Sequence, residues 1–481
     1  MPAWTRLDTL LLVAVTGVAA ALRLWDLGQP AALVFDEIFY AQNACLLVAS
    51  PDTCGITEPV SNAHPPLGQW LIAAGIAIVG YDPFGWRLAA AIVGSSTVAL
   101  TFVLTRFVIQ TDSARAAAIG AAVASSLLAV DVLHLVQSRV AMLDVFLALF
   151  VVASFVAVLF DLRSMPPPGR GGLGQWLLGR PWRLVAGVLI GAAVAVKWSG
   201  VYSALGVVLL VVACEIVARR QAEDGSPRGW GTAFGMALRA EGIRTAVLLG
   251  VIPVLVYLAT YIGVAEGALV AVPWREGSWF YDVAQHQLAM ARFHVGLEGQ
   301  HPYESPSWSW FLLKRPVALW FEESSTYRHI LSMGNPLAWW PALAVLGWLG
   351  VSWLRSSRRL GASVILVGAL SAYLPWLVLG SARSQIFLWY VLPALPFVYA
   401  AVGIAAVRWR GRARGLLVIG LVGALAGFLF LWPIATASPL APDDWRLRMW
   451  LTDCERPGAE TLQLPDDTIN TGPPPDGWCW I

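Results

Sequence analysis

Long apolar runs separated by short polar breaks dominate the chain: residues 8–24, 84–105, 116–133, 140–160, 184–200, 201–218, 245–265, 337–354, 361–380, 386–407 and 415–435. Each approaches the ~20 residues a helix needs to carry its internally hydrogen-bonded backbone through hydrocarbon. The pattern predicts about eleven membrane-spanning helices in an all-α polytopic protein. A shorter run at 67–80 (LGQWLIAAGIAIVG) is cut by Tyr81-Asp82-Pro83 and predicts a helix lying at the membrane interface. The first run continues into Leu22-Arg23-Leu24-Trp25-Asp26 without a small-residue cleavage site, so it reads as a span and not as a removable leader.

The polar remainder is unevenly distributed. Residues 25–83 and 266–336 and the tail 436–481 are the long segments outside the spans, which divides the chain into a transmembrane unit (1–435) and a short tail. A composition of 58% hydrophobic and 13% charged residues excludes an ordinary soluble domain. The net charge of +2 conceals a polarity: with the N-terminus inside, the loops on that side hold nineteen of the 32 Lys and Arg but seven of the 30 Asp and Glu. That bias sets a cytoplasmic N-terminus and explains the basic face without a nucleic-acid partner. The inner loops 161–183 and 219–244, rich in Pro, Gly and Arg, read as connectors. All six histidines and four of five cysteines then lie outside or at the outer interface. Cys45 with Cys54, and Cys454 with Cys479, are expected to pair as disulfides in an oxidising compartment, leaving Cys214 reduced within a span.

Candidate chemistry gathers at the outer ends. Asp36-Glu37 precedes an aromatic-rich helix; one carboxylate there serves either as an N-cap or as a desolvated general base, while its neighbour, about 100° round the helix, orients it or binds elsewhere. His64-Pro65-Pro66 starts the interfacial helix, and His64 is either a cap or a site residue. Arg139, in "QSRVAMLD", either snorkels to headgroups or clamps a phosphate, with Asp144 deeper as its partner or that of another cation. Lys197, in "VAVKWSGVY", and Arg383, in "GSARSQIF", are further isolated outer cations suited to a phosphate or to membrane anchoring. Aromatics mixed with His, Glu and Arg in 266–336 suit a sugar or peptide platform. No Walker loop, HExxH, paired CxxC or GxSxG pattern occurs, so neither a metal nor another cofactor is expected.

In their order, Asp36-Glu37, His64-Pro65-Pro66-Leu67, "SRVAMLD" (138–144), "VKWSG" (196–200), "MGNPLAWW" (333–340) and "FLWYVLPALPF", with Tyr390 in it, resemble the protein O-mannosyltransferases, most of all their actinobacterial branch. The resemblance runs from residue 23 to about 400. It implies a GT-C glycosyltransferase fold in the cell membrane, with inverting transfer of mannose from polyprenyl phosphate mannose to Ser or Thr hydroxyls of an exported or membrane polypeptide. It further implies Asp36 and Glu37 as the catalytic acidic pair, and Arg139, less firmly Lys197 and Arg383, at the donor phosphate. His64, Asp144 and Tyr390 become substrate-binding or structural residues. Membrane lipids and the protein-export channel are the other partners expected at such a location. Two departures stand out: 266–336 is too short for the large lumenal insert of eukaryotic relatives, and Asn62 stands where many relatives carry an acid. A GT-C transferase acting on a lipid or glycan acceptor shares nearly all of this physics. A transporter would instead require ionisable residues near the midplane and internal repeats, neither of which is seen.

Overall fold

The computed structural model describes residues 2–61, 63–164, 179–220, 228–262, 279–297, 301, 303–355, 360–380, 383 and 385–449. Among them, nine helices are long and apolar enough to cross a membrane by length and composition: Arg6–Leu24, Pro83–Val108, Asp144–Arg163, Gly200–Arg220, Trp230–Ala259, Pro336–Arg355, Leu360–Leu379, Leu388–Arg408 and Gly411–Ala435. The expected runs at 116–133 and 184–200 are shorter helices, Ala114–Ala129 and Pro181–Val196. With these two, eleven apolar helices among the described residues match the expected runs. The connections carrying Asp36, Lys197, His294 and Arg383 then all fall at one end of the bundle. The run at 67–80 is the thirteen-residue helix Leu67–Val79, below spanning length as expected.

Several boundaries differ from the apolar runs, each for a polar reason. The run at 116–133 stops at Ala129 because Asp131 caps a new short helix, Val132–Gln137, accepting the His134 backbone N–H at 2.8 Å. The fourth run starts at Asp144 and not at residue 140, because 139–143 turn to meet the loop after the first helix. The segment 219–244, expected as a connector, instead enters the Trp230–Ala259 helix, which carries Arg239, Glu241 and Arg244 within it. Those charges are tolerated where they are paired. Arg183 binds Asp161, Glu215, Glu241 and Thr245 together, while Arg244 binds Glu241 at 2.9 Å. Pro393 and Pro396 divide the 386–407 run into a 3-10 segment, Leu388–Ala394, and a helix, Leu395–Arg408.

Close packing on glycine aligns the helix that ends at Lys197. In "GVLIG", Gly187 and Gly191 face the backbone of the Trp230–Ala259 helix, and a Cβ on Gly191 would lie 2.7 Å from the Pro253 carbonyl oxygen. Small residues four apart let membrane helices approach this closely. β1 (Val317–Glu323) and β2 (Tyr327–Ser332) form an antiparallel hairpin with a bulge between Ala318 and Trp320. The start of the tail docks on it: Tyr327 bridges to Leu440, and buried Trp445 donates to His329 Nδ1 at 3.2 Å. Cys45 and Cys54 form the expected disulfide, and Cys214 is free. Cys454, Cys479 and Asn62 lie outside the described residues.

Replacing Gly187 with Leu forces the two helices apart and should cost about 1–3 kcal/mol of stability. Thermal unfolding of the detergent-solubilised protein should register this as a lowered Tm, whereas Gly17→Ala, with nothing within 4 Å of its added methyl, leaves the Tm unchanged.

Candidate active site

Glu37 faces inward. Its carboxylate accepts both Arg87 Nε and Nη2 at 2.8 Å, the Val34 N–H at 3.0 Å and the Ala141 N–H at 2.8 Å, and both charged side chains are fully buried. Arg87 spends its other donors on the carbonyls of Leu27, Pro30 and Ala32. With four hydrogen bonds accepted, Glu37 is a strut of the first loop. Arg139 also has partners within the protein. It is buried, and its guanidinium caps the end of the first helix by donating to the carbonyls of Leu22, Arg23, Trp25 and Asp26. These bonds use Nη1 and Nη2 and tie Arg139 to the end of the first helix.

Asp36 is presented by contrast. It sits at the N-cap position of the Glu37–Leu46 helix, but its side chain makes no capping bond; Oδ2 accepts from the Tyr40 hydroxyl at 3.3 Å, one helical turn on. The preceding Phe35 has φ +46°, a left-handed conformation uncommon for an aromatic residue. Its ring is held by His301, Phe387 and Trp389. Burial lifts the Asp36 carboxyl to a pKa of about 6; Asp144 adds to the rise, while Lys197 and the Tyr40 hydrogen bond oppose it. The cation facing Asp36 is therefore Lys197.

Lys197 follows the last residue of the Pro181–Val196 helix in extended backbone. Its ammonium is gripped by both Asp144 oxygens, at 2.9 and 3.0 Å, and lies 4.0 Å from the centre of the Tyr390 ring. A narrow cleft opens beside them, lined by Asp144, Ser199, Ser203, Trp376 and Tyr390. From Tyr40 the site continues through His64, whose ring centre is 5.9 Å away, to His294 at 5.5 Å from His64 and on to Arg383, which donates to His294 Nδ1 at 3.0 Å. The loop bearing His64 is stapled by Asn43, which donates to Ser61 O at 2.6 Å and accepts the Val60 N–H at 2.7 Å.

Asp36, His64, Asp144, Lys197, Tyr390 and Arg383 thus come together, whereas Glu37 and Arg139 support them from behind. Tyr40, Arg87 and His294 had no assigned role in the sequence reading. Arg87 alone carried a signal, being an unaccompanied charge one turn into an apolar run. "GNPLAWW" proves to be a pin: Trp339 and Tyr399 both donate to Asp131, at 2.7 and 2.6 Å.

An acid, two cations and aromatic rings gather at one end of a polytopic helical bundle whose fold is that of the GT-C membrane glycosyltransferases. Residues 82–263 match the family model described as dolichyl-phosphate-mannose-protein mannosyltransferase, and 279–454 match the C-terminal four TMM region of protein-O-mannosyltransferase. The chain belongs to the protein O-mannosyltransferase family. It is 33% identical to the polyprenol-phosphate-mannose--protein mannosyltransferase of Mycobacterium tuberculosis over 92% of this chain and 90% of that one. The protein of the same name from Mycolicibacterium smegmatis is 31% identical over 91% of each. The fold is shared with the Saccharomyces cerevisiae Pmt1-Pmt2 complex bound to the sugar donor, with a TM-score of 0.73, 14% identity and coverage of 94% and 93%. ArnT from Cupriavidus metallidurans bound to undecaprenyl phosphate matches at 0.52, with 19% identity over 89% of this chain and 65% of that one.

Glu37→Ala and Arg87→Ala should each lower the unfolding free energy by about 3–5 kcal/mol, because each leaves a buried charge without its partner. Denaturant titration of the two single variants and the double should show non-additivity, the double costing well below the sum.

Proposed function

We propose that this enzyme transfers mannose from polyprenyl phosphate mannose to a Ser or Thr hydroxyl of an exported polypeptide, at the extracytoplasmic face of the cell membrane. The observation that carries the reading is the Asp36 carboxylate, desolvated to a pKa of about 6 beside the Lys197 ammonium. The names of the mycobacterial relatives supply the donor and acceptor classes. The distribution of Lys and Arg supplies the sidedness.

The acceptor oxygen attacks the anomeric carbon from the face opposite the phosphate, which inverts that centre. As the new C–O bond forms, Asp36 takes the hydroxyl proton, and the bond to the phosphate oxygen breaks. Lys197 receives the charge that develops on the departing polyprenyl phosphate, and Arg383 binds that phosphate in the ground and transition states alike. Polyprenyl phosphate is a good leaving group, so alignment and charge placement supply much of the acceleration. Lys197, resting on Asp144, is held ready for the phosphate at little further entropic cost.

The test is transfer of labelled mannose from the lipid donor to a Thr-containing peptide by purified protein. Asp36→Asn should lower kcat by about 10²–10⁴-fold, the usual contribution of a positioned base. Transfer to lipid or glycan with none to peptide would overturn the acceptor assignment.

The pH profile provides a second check. Asp36 must be ionised to act, so kcat/KM should fall as pH drops below about 6, some two units above an ordinary carboxylate. The Tyr40 hydrogen bond favours the ionised form, so Tyr40→Phe should move this acid limb to higher pH.

A further inference from the structure

His294 lies near the end of the Trp279–Val295 helix, far from the other site residues in sequence and beside them in space. An arginine can only donate, so the Arg383 Nη2 contact at 3.0 Å makes His294 Nδ1 an acceptor. The proton must then sit on Nε2, which donates to the Ala63 carbonyl at 2.8 Å, immediately before His64. One neutral ring thereby ties the first outer loop, the Trp279–Val295 helix and the turn before the Leu388–Ala394 segment. Its face meets Trp198, the residue after Lys197, with ring centres 6.1 Å apart. The groups facing it are Arg383, Lys197 and His64, none of them anionic, which with burial holds the imidazole neutral, at a pKa of about 4. The buried Nε of Arg383 has no hydrogen-bond partner among the described residues, so the guanidinium is anchored at Nη2 and keeps an unspent donor at Nε.

We propose that His294 is a positioning residue for mannosyl transfer: its Nδ1 lone pair aims the Arg383 guanidinium at the donor phosphate while its Nε2–H fixes that aim to the loop carrying His64. The inference rests on the function proposed above and adds to it a residue that acts through Arg383. Its signature is a shift in donor KM and not in the proton-transfer step.

The experiment compares His294→Gln with His294→Phe in the full-length protein, using labelled polyprenyl phosphate mannose and a Thr peptide. Gln keeps one acceptor and one donor; Phe keeps the ring packing and neither. His294→Phe should raise the donor KM about 10- to 100-fold, the range expected when a binding group is misplaced by about 1 Å, with kcat within about threefold of wild type. His294→Gln should stay within about threefold on both constants, and His294→Phe should add little to Arg383→Ala, because each acts through the other. A wild-type donor KM in His294→Phe, equal impairment in His294→Gln, or additivity with Arg383→Ala would overturn the proposal. Should His294→Phe fail to fold, His294→Leu takes its place; failure of both with His294→Gln intact would assign the side chain to folding and overturn the proposal likewise. Asp36→Asn, run alongside, reports separately on the function proposed above through kcat with donor KM unchanged.

Discussion

The Glu37–Arg87 ion pair is the constraint on which the site depends. Two charges with no solvent exposure are tolerated because every donor and acceptor finds a partner: four hydrogen bonds converge on the carboxylate, and three loop carbonyls share the guanidinium with it. The pair joins the loop after the first helix to the Pro83–Val108 helix, and the Ala141 bond extends it to the turn before Asp144–Arg163. Asp36, one residue earlier, is thereby turned away from the core and toward Lys197. The adjacent acids differ in this: Glu37 accepts four hydrogen bonds, whereas Asp36 accepts one from Tyr40 among the described residues.

Charge placement at the site follows the same economy. Lys197 rests on Asp144, so this cation is paired with a carboxylate other than Asp36. Asp144 and burial push the Asp36 carboxyl up, while Lys197 and Tyr40 restrain it, and the outcome is a base poised near neutral pH. Arg383 reaches the same region through the neutral His294, whose lone pair orients the guanidinium without cancelling its charge.

The opposite end of the bundle solves a different problem with similar means. Arg183 joins acids from three different helices, and this pairing lets the Trp230–Ala259 helix continue through Glu241 and Arg244. The "GVLIG" contact with that helix then fixes the path of the Pro181–Val196 helix, whose far end delivers Lys197 to the site. Stability at one end and chemistry at the other are connected through a single glycine-packed helix.

Much of this was legible along the chain because membrane insertion is a local constraint: each span must satisfy its own backbone, so apolar length alone marked nearly every crossing. The Cys45–Cys54 pairing, nine residues apart, was equally local. The helix over 230–244 was not, since charges in a line of sequence look solvated until partners from other helices are brought to them. The roles of the outer cations escaped for the same reason. Arg139, Lys197 and Arg383 look alike in sequence, each a lone positive residue at a span end, yet one meets helix-end carbonyls, one a carboxylate and one an imidazole. The sequence by itself determined the class, the crossings and the short list of chemical groups. Only the tertiary structure decided which acid is buried and which is presented, because a charged side chain's role is set by the partners that desolvate it, and these come from elements far apart in the chain.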